Sequence, residues 1–294
     1  MLAGVAVVLP HLNPHERARE VNQRQETIWA DTSSDKTVAW GLKHTRYARV
    51  SQLDKNDRAV SWGLRHHGSE RVPTPPDGAA ELLKEFGGMF VKGRASSVGE
   101  DKQCAPTKEV FLTFDLGYEA GYTGQVLDIL KKHKIRAIFF LCGNYLKETE
   151  LVNRMIDDGH KIGNHTDHHK DLPRLGDDAI RKDITDFDTK FKEKFGDKNH
   201  TIKHFRPPKG RLCERSLSIA KDEGLTTLMW SGAIVDWHKT PINAQKSSDK
   251  IISRIHPGAI LLFHIANSGM PKMLDIMIPS LIEKGYTIGN AGEL

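Results

Sequence analysis

The sequence predicts an α/β fold in which parallel strands form a closed or nearly closed barrel. From residue 108 onward, short apolar runs rich in β-branched and aromatic residues alternate with segments of helical periodicity, as in repeated strand–helix–strand units. The runs are apolar throughout, which indicates strands that are buried on both faces. We count about seven such runs, and we assign them to one domain at 108–294. An open, doubly wound parallel sheet is the alternative architecture.

Each element of this domain is placed by its composition and spacing. The run "VFLTFD" (110–115) is β-rich and apolar, whereas Ile180, Ile184, Phe187 and Phe191 recur at helical spacing in a charged segment. The predicted strands are 110–115, 135–143, 160–165, 204–208, 225–232, 259–264 and 286–290. The predicted helices are 120–133, 147–158, 177–195, 214–223, 247–256 and 273–284.

Residues 1–107 form a polar N-terminal extension with little sustained periodicity. The extension contains a short repeat, "VAWGLKH" at 38–44 and "VSWGLRH" at 60–66. Two copies are too few for a solenoid, which needs several stacked units. We predict a partly disordered extension whose duplicated segment packs Trp40 or Trp62 against the main domain. Stacking of these tryptophans on sugar rings is the alternative.

The composition of the chain limits the kinds of partner that we expect for it. The chain has 294 residues, 38% of them hydrophobic, and a formal net charge of +5. This modest basic excess suits anionic surroundings such as wall polymers, membrane surfaces or nucleic acid, but a mixed solvated surface explains it equally well. No nucleic-acid-reading motif occurs, so we predict no nucleic-acid partner. We also predict no transmembrane span, because no run of about twenty apolar residues occurs.

The chain start and the cysteines are weakly informative. The start "MLAGVAVVLP" is apolar, but it lacks a basic flank and a clean cleavage site, and so makes a poor signal peptide. The three cysteines, Cys104, Cys142 and Cys213, lie far apart without a CxxC pair. A disulfide scaffold and a cysteine-based zinc knuckle are therefore disfavoured. Because Cys142 ends an apolar run, we predict that it is a small core residue.

Ionisable residues stand at or just beyond the ends of five predicted strands. These residues are Asp115, His165, Arg206, Asp236 and His264. The carboxyl ends of parallel barrel strands meet at one rim, where functional residues of such barrels gather. Scattered surface charges would not follow that rule, so this agreement in position is the main evidence for a catalytic site.

The stretch "GNHTDHHKDL" (163–172) is a candidate metal-binding loop. His165 and His169 are four residues apart, a spacing that places both imidazoles on the same side and suits a divalent metal such as zinc. An exposed histidine-rich loop is the alternative, because this spacing arises often by chance. His168 points elsewhere under this geometry, and Asp167 is expected to be a loop or capping residue.

The other strand-end residues fall into two pairs. The Arg206 guanidinium can hold the Asp115 carboxylate bidentately and keep it ionised, unless the two form a purely structural ion pair. Asp236 can hydrogen-bond His264 and raise its pKa, unless His264 is a satisfied core histidine. Together with a metal, these groups predict a hydrolase. In it Asp115 takes the proton of a water, and His264 protonates a leaving nitrogen.

The motifs resemble those of the NodB-type polysaccharide deacetylases (carbohydrate esterase family four). The resemblance covers about 108–290, and five motifs occur in the family's order. They are "TFD" (113–115), "HTDHH" (165–169), "RPPKG" (206–210), "VDW" (235–237) and "LLFH" (261–264). The resemblance implies a distorted, incomplete (β/α) barrel.

Residue roles carry over from the family by position. The resemblance implies that Asp115 is the catalytic base, Arg206 the residue that orients it, and His264 the general acid. It implies that Asp236 tunes that acid. The expected ligands of a divalent metal, most simply zinc, are His165 and His169. The residues expected to contact substrate are Pro207, Trp237 and Tyr118.

One position departs from the family pattern. Most members have a second aspartate after the base, which is a metal ligand, whereas this chain has Leu116, which cannot ligate. A subgroup that also lacks this aspartate is the peptidoglycan N-acetylmuramic acid deacetylases, linked to the muramic δ-lactam of spore cortex. It resembles this chain in "TFDLGYEAGYT" (113–123) and "HPGAILLFH" (256–264). That subgroup usually has asparagine where this chain has leucine, so we expect weaker metal binding here.

The expected function is removal of N-acetyl groups from a cell-wall glycan, most simply from the muramic acid residues of peptidoglycan. The alternatives are a non-catalytic glycan-binding relative, which Leu116 motivates, and a chitin- or xylan-type deacetylase. The resemblance places the protein outside the cytoplasm, at the cell wall or spore envelope.

Overall fold

The computed structural model describes residues 38–39, 58–93 and 108–294, apart from residues 199 and 239. The strands are β1 (Val38–Ala39), β2 (Ala59–Ser61), β3 (Gly63–Leu64), β4 (Glu109–Leu116), β5 (Ile138–Leu141), β6 (Lys161–Asn164), β7 (His204–Phe205), β8 (Arg211–Cys213), β9 (Thr226–Thr227), β10 (Gly232–Ala233), β11 (Ala259–His264) and β12 (Thr287–Ile288). The helices are α1 (Ala79–Glu85), α2 (Thr123–Lys132), α3 (Thr149–Asp157), α4 (Asp177–Phe195), α5 (Glu214–Asp222), α6 (Ala244–Ile252) and α7 (Gly269–Glu283).

A parallel sheet forms the centre of the molecule. Its strand order is β10-β11-β4-β5-β6-β7-β9, and β12 pairs with the first residues of β4. Each of these strand pairs is parallel, and in the part of the chain that the structure describes no pairing joins β9 to β10. The prediction of an incomplete (β/α) barrel of about seven parallel strands is therefore confirmed.

The run predicted as one strand at 225–232 instead contributes two short strands, β9 and β10. The backbone between them pairs with the extension, since the Met229 amide donates to the Met89 carbonyl at 2.8 Å. The Ser231 amide then donates to the Ile260 carbonyl at 2.9 Å, which brings the chain beside β11. The interruption thus moves the chain from one edge of the sheet to the other.

The main core lies between the sheet and the helices α2, α3 and α7. Phe114 on β4 stacks on Phe139 of β5 at 5.0 Å between ring centroids and contacts Phe263 of β11 at 6.0 Å. Leu116, at the end of β4, is also buried in this cluster. Leu116, at the position where the resemblance implies an aspartate, therefore serves packing.

Part of the extension is built into the domain. Strand β2 pairs antiparallel with β8, and β1 pairs antiparallel with β3. Trp62 is fully buried against Phe90 and Trp230, and its indole Nε1 donates to the Trp230 carbonyl at 3.0 Å. Burial excludes a sugar-stacking role for Trp62, whereas Trp40 lies outside the described residues. None of the described helices is long and apolar enough to span a bilayer.

Substitution of Trp62 by Phe tests this anchoring. Phe retains an aromatic ring but removes the donor to the Trp230 carbonyl, so we expect the free energy of unfolding to fall by about 1–3 kcal/mol. Urea unfolding measures the change. Tyr118→Phe is the matched control, because Tyr118 is 49% exposed and its hydroxyl removal should change stability by less than about 0.5 kcal/mol. Equal stability of the two variants would contradict the anchoring role.

Candidate active site

The register of two central strands brings an acid and a base together. Asp115 is the penultimate residue of β4, and His264 is the last residue of β11. These two residues are partners in the parallel ladder, so their backbones lie side by side at the carboxyl end of the sheet. Both side chains leave apolar strands at the same rim, as the sequence predicts.

Arg206 holds Asp115 from the adjoining end of β7. Its Nη1 donates to Asp115 Oδ1 at 2.8 Å and also to Thr113 Oγ1 at 2.9 Å. Its Nε donates to the Leu228 carbonyl at 2.8 Å, and the guanidinium lies over the Phe140 ring at 4.1 Å. The prediction of a bidentate contact is wrong, because Nε and Nη2 of Arg206 donate to the carbonyls of Leu228 and Met229. Arg206 is nevertheless fully buried and fixed in one orientation.

Asp115 is kept ionised by its neighbours. Burial alone would raise the pKa of this carboxyl, but the Arg206 guanidinium, with a smaller contribution from His264, outweighs burial and lowers the pKa. Oδ1 is bound by Arg206, whereas Oδ2 lies 3.6 Å from His165 Nε2. The carboxylate therefore has one fixed oxygen and one oxygen that faces the histidine, which suits a proton acceptor.

His165 is presented to the site as a neutral imidazole with a defined tautomer. Its Nδ1 lies 2.7 Å from the Arg206 carbonyl, and since a carbonyl only accepts, Nδ1 carries the proton. Burial, its largest influence, lowers the pKa of His165. The unprotonated Nε2 therefore faces Asp115 with a free lone pair. An imidazole oriented in this way by a backbone carbonyl is typical of metal ligands.

His169 and Cys142 complete a cluster of donor atoms around His165. One ligand atom from each of the three residues lies within 4.8 Å of the others. His169 has a left-handed backbone with φ of 53°, and its ring centroid lies 5.0 Å from that of His165. His169 is exposed to solvent, and the surrounding protein, His165 and Lys209 together lower its pKa. Two neutral imidazoles and a thiol form a donor set that fits a zinc-like ion.

Asp236 and His264 form a second buried pair. Asp236 is fully buried, and its Oδ1 and Oδ2 accept hydrogen bonds from His264 Nδ1 at 2.8 Å and from the His264 amide at 2.7 Å. Burial by itself would lower the pKa of His264, but the Asp236 carboxylate outweighs burial, and the pKa is raised. With Nδ1 bound to Asp236, His264 presents a protonated Nε2 as a proton donor.

Comparisons with known proteins identify the family of this chain. Residues 102–228 match the family described as polysaccharide deacetylase. The chain is 37% identical over 225 residues to the peptidoglycan-N-acetylmuramic acid deacetylase PdaA of Bacillus subtilis, covering 75% of this chain and 81% of that protein. The chain belongs to the polysaccharide deacetylase family. The solved structure of PdaA superimposes on 81% of this chain and 97% of its own, with a TM-score of 0.72 and 31% identity.

Other members of the polysaccharide deacetylase family are described with a different substrate or as inactive. A chitooligosaccharide deacetylase of Sinorhizobium fredii is 30% identical over 193 residues, covering 61% of this chain and 88% of that protein. A structure described as a pseudoenzyme of carbohydrate esterase family four from Bacillus anthracis matches with a TM-score of 0.59. It is 32% identical and covers 64% of this chain and 66% of that chain. The prediction of a polysaccharide deacetylase is confirmed.

Asn164 and Asp167 hold the histidine-rich loop in place. The Asn164 side chain donates to the Ile184 carbonyl and to Asp188 on α4, both at 2.9 Å, and accepts from the Thr166 amide at 2.8 Å. Asp167 is a loop residue that pairs with Lys190 at 2.6 Å. The sequence signal for this support is an asparagine near the end of a strand that is predicted to be buried, because a buried amide needs hydrogen-bond partners.

The remaining residues of the histidine-rich stretch and the expected substrate contacts differ in exposure. His168 is exposed and bonds to Asp183 at 2.6 Å, away from the other two histidines. Tyr118 is exposed beyond β4, and the half-buried Trp237 lies 6.0 Å from His264 between ring centroids. Pro207 is buried, and its ring restricts the backbone next to Arg206. Contact of these residues with substrate stays a prediction.

The Asp236→Asn variant tests the prediction that Asp236 tunes His264 as a proton donor. Asn retains the shape but removes the negative charge that raises the pKa of His264, while burial continues to lower it. We expect the alkaline limb of kcat/KM to move to lower pH, because His264 then loses its proton at lower pH. A pH profile of acetate release measures the limb. An unchanged alkaline limb would show that another group supplies the proton.

Proposed function

We propose that the protein is a metal-dependent hydrolase that removes N-acetyl groups from the muramic acid residues of peptidoglycan. The observation that carries this proposal is the placement of two charge pairs, Asp115–Arg206 and Asp236–His264, on neighbouring strand ends. One pair favours an ionised base and the other a protonated acid. Two titratable groups with pKa values pushed apart in this way are the requirement of amide hydrolysis near neutral pH.

Asp115 is the base in the proposed reaction. His165 and His169 would hold a divalent metal such as zinc, which when bound polarises the acetamide carbonyl and lowers the pKa of a water. Asp115 accepts the proton of the water whose oxygen attacks the acetamide carbon. Arg206 keeps the carboxylate ionised and holds it in place through Oδ1, which leaves Oδ2 for the proton.

His264 is the acid in the proposed reaction. As the bond between the acetyl carbon and nitrogen breaks, His264 gives its proton to the nitrogen, which leaves as the sugar amine, and the acetyl group leaves as acetate. Asp236 holds the imidazole through Nδ1, so that Nε2 is the donating atom. Positioned acid–base groups of this kind contribute about 10²–10⁴-fold to a rate each.

The preference for muramic acid is supported by the similarity to PdaA and by one cation near the site. Lys209 is partly exposed and close enough to His169 to affect its pKa. N-acetylmuramic acid carries a lactyl carboxylate that N-acetylglucosamine lacks, and a lysine is a suitable partner for it. We expect Lys209→Gln to raise KM for N-acetylmuramic acid substrates, measured by acetate release, and to leave KM for chitooligosaccharides unchanged. An equal change for both substrates would contradict this role.

The same proposal covers location. Peptidoglycan lies outside the cytoplasm, so the protein acts at the cell wall or the spore envelope if this is its substrate. The net charge of +5 is compatible with anionic wall polymers.

The deciding experiment measures acetate release from purified peptidoglycan glycan, with a chelator and with added zinc, beside His165→Ala. We expect zinc-stimulated release that His165→Ala loses. The substrate panel adds chitooligosaccharide and acetylated xylan, since faster release from either would replace muramic acid by that substrate class. Glycan retention without acetate release at any metal concentration would favour a non-catalytic glycan-binding protein, as Leu116 and the pseudoenzyme relative allow.

A further inference from the structure

The structure raises the question of what replaces the family's third protein ligand. Leu116 occupies that position, is 2% exposed and packs in the main core. A hydrocarbon side chain has no donor atom, so the motif positions leave only His165 and His169. Two imidazoles alone would bind a divalent ion weakly, because catalytic zinc sites usually have three protein ligands.

The neighbouring strand end supplies a donor. Leu116 is the ladder partner of Leu141 on β5, and Cys142 follows directly. The Cys142 amide donates to the Leu116 carbonyl at 3.0 Å, so the two strand ends remain side by side. The Cys142 thiol is buried, and its sulfur lies within 4.8 Å of one ring nitrogen of each histidine.

We propose that the thiolate of Cys142 is the third protein ligand of the metal and replaces the missing aspartate. The inference rests on the proposed function in one respect, namely that a divalent metal binds at the two histidines. On binding, the S–H bond breaks, the proton passes to solvent and the sulfur–metal bond forms, so no oxidant or reductant is needed. The three donors are Cys142, His165 and His169.

Asp115 is a poorer candidate for the third ligand. Its Oδ1 is held by the buried Arg206, and its Oδ2 is the oxygen available to accept a proton. A metal on Oδ2 would remove the base from the proposed reaction. Among the described residues, the Cys142 thiol makes a weak hydrogen bond, to the His165 carbonyl at 3.5 Å, which a metal could replace.

Backbone hydrogen bonds connect the segments that carry the three donors. The amide of Gly143, next to Cys142, donates to the carbonyls of Thr166 and Asp167 at 3.2 Å each. The cysteine and the histidines are therefore positioned by one shared network, as a pre-organised site requires. His169 is exposed, so solvent and substrate can reach the cluster from its side.

A thiolate ligand changes the metal preference of the site. Sulfur donors favour zinc and cobalt over magnesium, manganese and calcium, which prefer oxygen. We therefore expect this chain to select thiophilic ions in place of the oxygen-preferring ions that an aspartate would accept.

Cobalt spectroscopy tests the ligand independently of catalysis. The protein is loaded with one equivalent of Co²⁺, and its visible d–d bands and near-ultraviolet sulfur-to-cobalt charge-transfer band are recorded. The double variant Cys104→Ser/Cys213→Ser keeps only Cys142 and is expected to show both sets of bands. Cys142→Ser is expected to keep the d–d bands and lose the charge-transfer band. Its zinc affinity, measured by chelator competition, should fall by at least about the 10–100-fold that loss of an outer-shell partner costs.

The outcomes separate this inference from the proposed function. Cobalt d–d bands without a charge-transfer band in the double variant would overturn the cysteine ligand and leave the metal site standing. Absence of cobalt and zinc binding in every protein would overturn the metal site itself. If Cys142→Ser fails to fold, X-ray absorption on the zinc-loaded double variant decides, because a sulfur ligand gives a zinc–sulfur distance of about 2.3 Å.

Discussion

Asp115→Asn is expected to reduce acetate release by about 10²–10⁴-fold, the range for loss of a positioned general base. Asparagine has nearly the same shape, and its side-chain oxygen can still accept the hydrogen bond from Arg206. It cannot accept a proton from water, so the reaction loses its proton acceptor. The loss should appear in kcat, since the base acts on the transition state and contributes little to ground-state binding.

The control for Asp115→Asn separates loss of chemistry from loss of structure. Asp128→Asn makes the same change at a carboxylate of α2 whose side chain is 69% exposed, and it should leave turnover unchanged. Zinc affinity of Asp115→Asn should also stay close to that of the wild type, because Asp115 is not among the proposed ligands. Unchanged turnover in Asp115→Asn would remove this residue from the base role.

Much of the fold and site follows from the sequence because the relevant signals are local. Apolar runs and helical spacing predict the strands and helices of 108–294, and the helix predicted at 177–195 is observed with the same bounds. The rule that functional residues lie at the carboxyl ends of parallel strands then brings Asp115 and His264 together. The structure adds the register, which makes these two residues direct partners.

Features that depend on distant contacts were not predictable in the same way. Cys142 reads as a core residue, and it is buried as expected, but only strand pairing shows that its sulfur lies beside two histidines. The monodentate contact of Arg206 depends on the carbonyls of Leu228 and Met229, which compete for its donors. The anchoring of Trp62 depends on the carbonyl of Trp230, 168 residues further along the chain.

Arg206→Met is expected to lower the free energy of unfolding by about 3–5 kcal/mol, the cost of leaving a buried charge without its partner. Methionine fills similar space, so the main loss is electrostatic. Asp115 would remain buried as a carboxylate, and Thr113 and the Leu228 carbonyl would lose a donor. Activity should fall as well, because burial would then raise the pKa of Asp115 and leave less of the base ionised.

A double variant shows how much of that cost belongs to the Asp115–Arg206 pair. Adding Asp115→Asn to Arg206→Met removes the unpaired charge, so the double variant should be less destabilised than the sum of the two single changes. The expected coupling is about 0.5–3 kcal/mol, measured by urea unfolding of the four proteins. Full additivity would show that the two side chains do not interact energetically and that Arg206 acts through its carbonyl contacts.

The pH dependence of stability gives a second test of the same pair. In the wild type the pKa of Asp115 is lowered, so the pair stabilises the fold above the ordinary aspartate pKa and loses this contribution as pH falls through the lowered value. In Arg206→Met the same carboxyl takes up a proton at higher pH. The difference in free energy of unfolding between the two proteins should therefore be largest near neutral pH. It should decrease as the pH falls to about 4, the ordinary pKa of an aspartate, and below. If the difference stays constant over this pH range, the loss of stability in Arg206→Met comes from packing and from the carbonyl contacts. Such a result would contradict the role of Arg206 in keeping Asp115 ionised.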